Sequence, residues 1–134
     1  MNIRRTLRAA GFTLIELMVV LAIITILLSF AAPRYQQSIL HAKEAALKDD
    51  LYTMRQAIDE YTLDKQRAPQ SLDDLVQAGY LKNLPRDPLT NSSETWQVVN
   101  EDTLSSVDQT QPGITDVHSG APENSSEGTP YSSW

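Results

Sequence analysis

One acidic side chain, that of Glu16, lies within an otherwise apolar stretch formed by residues 12–32. An isolated carboxylate inside a bilayer costs up to about 2.5–3.5 kcal/mol, so a charged partner is expected. The stretch contains no lysine or arginine, and the nearest cation would be a new α-amino group, formed if the chain were cut before Phe12. Positions 12 and 16 lie one helical turn apart on the same face. The sequence therefore predicts an ion pair between this amine and Glu16, within one chain or between neighbouring chains in lipid.

A long apolar helix must position this pair. The 21 residues from 12 to 32 would span roughly 31 Å as a helix, which is the thickness of the hydrocarbon core of a bilayer. Arg4, Arg5 and Arg8 precede the stretch, and no acidic residue comes before Glu16. Because positive flanking charge stays on the cytoplasmic side, the rest of the chain is predicted to lie on the opposite side of the membrane.

The junction between the basic leader and the apolar stretch, GFTLIE at residues 11–16, resembles the class III signal peptide of type IV pilins and type II secretion pseudopilins. In these families a prepilin peptidase cleaves after the glycine and methylates the new amino-terminal phenylalanine. The resemblance implies cleavage between Gly11 and Phe12, N-methylation of Phe12, and assembly through Phe12 and Glu16. The alternatives are an uncleaved signal anchor and an ordinary secretory signal, which has a shorter apolar core followed by a small-residue cleavage site.

The helical pattern continues beyond Pro33, at which the helix is predicted to be kinked or locally unwound. Over residues 34–64 the apolar positions form a seam with heptad spacing. The residues that recur every seven positions are Leu40, Leu47, Met54 and Tyr61, and those interleaved with them are Leu51 and Ile58. Glu44 and Lys48 are opposite charges one turn apart, which is typical of an exposed helix face. We therefore predict one long helix from residue 12 to about residue 64.

Shorter elements follow the long helix. Ser71 is predicted to be the N-cap of a short helix, with Asp74 completing a capping box and Gly79 as the C-cap. Residues 96–99 and 113–119 are predicted strands, with a further strand edge near residues 103–107. Residues 119–134 have a composition typical of disorder, but the aromatic side chains of Tyr131 and Trp134 favour a segment that folds back.

The string GYLKNLPRDP at residues 79–88 is similar to the pattern of the major pseudopilins, in which a short helix leads into the sheet. Asp87 is expected to close an Asx-turn there. The major pseudopilins bind calcium in a C-terminal loop, and the resemblance implies that Asp116 and Ser119 take part. Residues that supply further hard oxygen ligands of the kind calcium prefers are Glu123, Asn124 and Glu127. The family has an aspartate where this chain has Pro122.

The charge balance limits the partners. The formal net charge is −6, and without the three leader arginines the chain carries eight basic against 17 acidic residues. Such a surface does not suit nucleic acid, because phosphates require a basic face. The chain has no cysteine, so stability is expected from the helix–sheet core, from assembly or from a metal. No constellation of catalytic residues stands out, and an enzyme is not predicted.

The predicted fold class is α+β, with a long N-terminal helix packed on a small antiparallel sheet and a loop-rich C-terminus. Its segments are a cleaved leader (1–11), a membrane-spanning half-helix (12–33), a second half-helix (34–64) and a C-terminal globular domain (65–134). The resemblance implies a subunit of the bacterial inner membrane whose periplasmic C-terminal domain assembles into a helical filament, the pseudopilus of type II secretion. Implied partners are further copies, minor pseudopilins, the prepilin peptidase, the inner-membrane assembly platform and membrane lipid. The alternatives are a type IV pilin of a surface pilus and a solitary membrane-anchored binding module.

Overall fold

The computed structural model describes residues 11–101 and 112–134, so the arginine leader and the predicted strand edge at 103–107 lie outside the described residues. Helix α1 is Leu14–Lys65, helix α2 is Leu72–Gln77, strand β1 is Gln97–Asn100 and strand β2 is Ile114–His118; a 3₁₀ turn, Tyr131–Ser133, follows. The chain divides after Ser38 into two compact units. The predicted α+β class is confirmed.

The first unit contains the apolar part of α1. Every large apolar side chain from Phe12 to Phe30 is at least 45% exposed. The hydroxyls of Thr25 and Ser29 donate to carbonyl oxygens four residues earlier, at 2.8 and 2.9 Å. These polar groups are therefore satisfied inside the helix, as a lipid environment requires. The helix also continues through Pro33, so the local unwinding that the sequence allowed is not present in this chain.

The second unit, Ile39–Trp134, has a core in which one face of α1 packs on the C-terminal elements. The predicted heptad seam is confirmed. Its buried members on α1 are Leu47, Leu51, Met54, Ile58 and Tyr61, and Leu40 is partly buried. Core residues from the rest of the unit include Leu75, Trp96, Val117 and Tyr131. The second half of α1 thus buries a continuous apolar stripe, which is the main source of its helical stability.

Strands β1 and β2 form a two-stranded antiparallel sheet. Val98 pairs with Val117, and a bulge between Val99 and Asn100 shifts the register at the end of the ladder. The strand that faces the core is β2, since Ile114 and Val117 are buried whereas all four residues of β1 are exposed. The sheet thereby places Asp116, between these two core residues, beside α1.

The turns before the sheet follow the predicted chemistry closely. Ser71 is the N-cap of α2, and the Asp74 carboxylate accepts its main-chain N–H at 3.0 Å. The C-cap is Ala78 and not Gly79, which comes one position later with a φ of 85°, a left-handed conformation that glycine adopts without strain. Asp87 closes the predicted Asx-turn by accepting the N–H of Leu89 at 2.8 Å.

Residues 119–134, called here the C-terminal loop, fold back onto the second unit as predicted. Tyr131 is 1% exposed, and its ring packs edge-to-face on Trp134 with centroids 5.2 Å apart. At the start of the loop, the buried Ser119 hydroxyl donates to Asp87, which is also fully buried. Gly120 lies so close to the main chain of Thr95 that a Cβ would overlap its carbonyl group. The polar composition of the loop therefore does not prevent it from packing.

Candidate functional site

The predicted cleavage point lies just outside helix α1. Residues Gly11, Phe12 and Thr13 are not helical, and both Gly11 and the Phe12 side chain are exposed. Thr13 caps the helix, since its hydroxyl oxygen accepts the main-chain N–H of Glu16 at 3.2 Å. The peptide bond between Gly11 and Phe12 therefore lies in an exposed segment outside the helix, where a peptidase can reach it.

Glu16 occupies the first turn of α1 and is exposed. A carboxylate is favourable there because the amino end of a helix carries partial positive charge. In residues 11–101 and 112–134 it forms no ion pair. The roles of Gly11 and Phe12 in cleavage, of Phe12 in methylation, and of Phe12 and Glu16 in assembly stay predictions.

Glu44 does not lie on an exposed helix face, and the predicted pairing with Lys48 is wrong. Glu44 is only 6% exposed, and it accepts hydrogen bonds from the C-terminal loop. The main-chain N–H and the hydroxyl of Ser126 each donate to it at 2.6 Å, and the hydroxyl of Tyr131 donates at 2.9 Å. The Lys48 ammonium instead lies over the Trp134 ring, 4.4 Å from its centroid.

The contacts of Glu44 decide its charge. Burial, the largest influence, raises the pKa of this carboxyl group, but the hydrogen bonds from Ser126 and Tyr131 together bring the pKa below its ordinary value. Burial and the neighbouring Glu44 carboxylate raise the pKa of Tyr131 to about 12. Glu44 is therefore ionised and Tyr131 protonated at neutral pH, which is the state in which the tyrosine donates to the carboxylate.

Arg55 forms a second polar cluster three turns further along α1. Its Nε donates to Asp116 Oδ1 at 2.6 Å, and its Nη2 donates to the main-chain oxygens of Val117 at 3.0 Å and Trp134 at 2.7 Å. The His118 ring contacts the same Trp134 oxygen and lies 3.4 Å from Asp116 Oδ2. Burial raises the pKa of Asp116, but the hydrogen bonds from Arg55 and the Val117 N–H lower it by more. The pKa of Asp116 therefore lies below its ordinary value.

The five predicted calcium ligands are not assembled into one site. Asp116 is bound by Arg55, and the Ser119 hydroxyl donates to Asp87, whereas the side chains that complete the set are exposed: Glu123, Asn124 and Glu127. Within the described ranges, no group of three or more acidic, histidine or cysteine side chains is placed to hold a metal ion. As they are placed, these five side chains do not form the cluster of oxygen ligands that calcium requires.

Acid should destabilise the second unit. The folded pKa values of Glu44, Asp74 and Asp116 lie below their ordinary values, so each group stabilises the fold above its unfolded pKa, and this stabilisation is lost as the pH falls through its folded pKa. Asp50 opposes this trend, because burial together with Asp49 and Asp87 raises its pKa. We expect the free energy of unfolding to fall as the pH decreases below about 4.3, the unfolded pKa of a glutamate, as measured by urea titration between pH 3 and 7.

The Glu44→Gln variant provides the control for this prediction. It removes one of the three groups whose pKa is lowered in the folded state, so its unfolding free energy should depend less on pH than that of the unmodified chain. A pH dependence identical in the two proteins would show that Glu44 does not contribute to acid lability.

Comparison with known proteins finds a matching family model and several relatives that share one name. Residues 6–32 match the family described as the prokaryotic N-terminal methylation motif. The chain is 36% identical over 100 residues to the type II secretion system core protein G of Aeromonas hydrophila, covering 63% of this chain and 70% of that protein. The protein of the same name from Escherichia coli K12 is 35% identical over 104 residues (66% and 72% covered), and that of Vibrio cholerae is 34% identical over 99 residues (63% and 68%). No solved structure matches the chain significantly.

Proposed function

Because this chain belongs to the type II secretion system core protein G family, we propose that it is a structural subunit that polymerises into the periplasmic pseudopilus of a bacterial type II secretion system. The observation that carries this proposal is the apolar part of α1, whose side chains are all exposed and whose only charge is Glu16. An apolar surface of this length must be covered by lipid or by other protein.

The same surface serves both environments in turn. Before assembly, the helix anchors the subunit in the inner membrane, where lipid covers it, and α1 is the one helix in the described ranges that is long and apolar enough to do so. After assembly, further copies cover it. The second unit lies in the periplasm throughout, and the minor pseudopilins and the inner-membrane assembly platform are the further partners of this cycle.

The proposed role of Glu16 is to neutralise a charge during the transfer. Cleavage by the prepilin peptidase leaves an α-amino group on Phe12, which is methylated and remains cationic. In apolar surroundings this amine and the Glu16 carboxylate each carry a large penalty alone. Pairing of Glu16 with the Phe12 amine of a neighbouring subunit removes both penalties together, so the pair favours ordered addition of subunits. This role is structural and not enzymatic.

Deletion of the gene tests the proposal. We expect specific secreted proteins to disappear from the medium while surface pili remain, and expression of the unmodified chain from a plasmid should restore secretion. Quantitative comparison of the secreted proteome with a count of surface filaments on the same cells is the measurement. Lost pili with normal secretion would identify a type IV pilin instead, and no change in either would favour a solitary anchored module.

A further inference from the structure

Two charged side chains of α1 hold the end of the second unit in place. Glu44 accepts three hydrogen bonds from N–H and O–H groups of the C-terminal loop. Arg55 donates to Asp116 on β2 and to two main-chain oxygens, one of which belongs to Trp134 at the end of the loop. Both attachments join parts of the chain that lie more than 60 residues apart.

We propose that these attachments fix the C-terminal loop and that the loop folds without a divalent cation. The loop is polar and crosses the surface without a regular strand, so its ordering must be offset by specific contacts. In a loop that contains bound calcium, the ion draws several oxygen atoms together. Here the Glu44 carboxylate draws donors together instead, and the Arg55 guanidinium gathers the oxygen atoms.

One oxygen of the Asp116 carboxylate is already occupied. Its Oδ1 accepts from Arg55 at 2.6 Å and from the Val117 N–H at 2.7 Å. A calcium ion at this oxygen would displace the guanidinium and leave a partly buried arginine without its partner, next to a doubly charged ion. That exchange loses a charge-assisted hydrogen bond and adds repulsion between like charges.

The Glu44 carboxylate has the wrong surroundings for a metal. A calcium ligand shell presents lone pairs, whereas the groups around Glu44 are N–H and O–H donors from Ser126 and Tyr131. The raised pKa of Tyr131 keeps its hydroxyl protonated, so this residue does not serve as an anionic ligand. His41 is a further neighbour, with Nδ1 3.6 Å from a carboxylate oxygen of Glu44.

The first test compares the full chain in detergent micelles after treatment with EDTA and after addition of millimolar calcium chloride. Both tryptophans, Trp96 and Trp134, lie in the second unit, so fluorescence reports on its unfolding while the apolar part of α1 remains in the micelle. We expect the same thermal midpoint and the same emission maximum in both conditions. A saturable rise in the midpoint with calcium, whether or not magnesium reproduces it, would overturn the proposal.

The second test removes one attachment. Glu44→Gln keeps the side-chain size but removes the charge, so we expect a midpoint several degrees lower that calcium does not restore. Glu60→Gln is the matched control, because Glu60 is exposed on the same helix and accepts a hydrogen bond from the Gln56 side chain one turn away. A wild-type midpoint for Glu44→Gln, or its rescue by calcium, would contradict the proposal.

If Glu44→Gln does not fold, two other measurements still test the proposal. Arg55→Gln tests the other attachment separately, with Arg86→Gln at an exposed position as its control. The comparison of EDTA with calcium on the unmodified chain decides the question of the cation by itself. Neither measurement depends on the pseudopilus, so a failure here is distinct from a failure of the proposed function.

Discussion

Glu16→Ala should be cleaved at Gly11 as the unmodified chain is, yet it should fail to form filaments and should abolish secretion. Cleavage is unaffected because the changed residue lies beyond the exposed segment around the Gly11–Phe12 bond. Assembly fails because the Phe12 amine of the neighbouring subunit stays unpaired in apolar surroundings. A penalty of about 2.5–3.5 kcal/mol corresponds to roughly a hundredfold weaker addition of each subunit.

The measurement is the amount of filament in sheared fractions from cells that overproduce the chain, with the processed subunit in the membrane fraction as the reference. Thr25→Ala is the matched control, since it removes a polar atom from the same apolar stretch but only breaks a bond to the carbonyl oxygen of Leu21 within its own helix. Normal filaments from Glu16→Ala would show that the ion pair is not required. Glu16→Gln distinguishes the loss of charge from the loss of side-chain bulk.

Gly11→Leu should leave the arginine leader attached to the protein. A Cβ at position 11 would have no heavy atom within 4 Å, so a larger side chain fits the chain itself, and the obstruction arises when the peptidase binds. The uncleaved chain keeps its leader arginines on the cytoplasmic side and has no Phe12 amine, so its assembly should also be lost. Intact-mass spectrometry of the membrane fraction should find the precursor, heavier by the mass of residues 1–11 than the processed chain apart from methylation.

Ala9→Leu is the control for this variant, because it adds comparable bulk within the leader but two positions before Gly11. We expect it to be processed. Retention of the leader in both variants would indicate a general defect in membrane insertion, whereas removal of the leader from Gly11→Leu would show that Gly11 is not the recognised residue.

The sequence predicted the features that depend on local spacing. The heptad seam, the turn at Asp87 and the strands of the small sheet each follow from residues close together in the chain, and all are present. The capping box of α2 is of the same kind. Such features could be predicted because their energy comes from neighbours within a few residues and from a periodic apolar stripe.

The polar attachments of the second unit could not be predicted in this way. Glu44 has its hydrogen-bond donors 82 and 87 residues away, whereas local spacing in the sequence indicates only a helix-surface pairing with Lys48. One signal was nevertheless present, because positions 44, 51 and 58 are spaced by seven and the latter two are core leucine and isoleucine. An acidic residue at a position of the heptad seam indicates a buried carboxylate that needs hydrogen-bond donors. No such signal in the sequence indicates the contacts of Arg55.

The spacing of Glu44 and Arg55 has a geometric consequence. Eleven residues are close to three helical turns, so the two side chains leave α1 on nearly the same side, about 16 Å apart along its axis. A segment held at one point can swivel about that point, whereas one held at two separated points loses this rotational freedom. The C-terminal loop is therefore oriented as well as attached, and its outer side chains keep a fixed direction around the axis of the second half of α1.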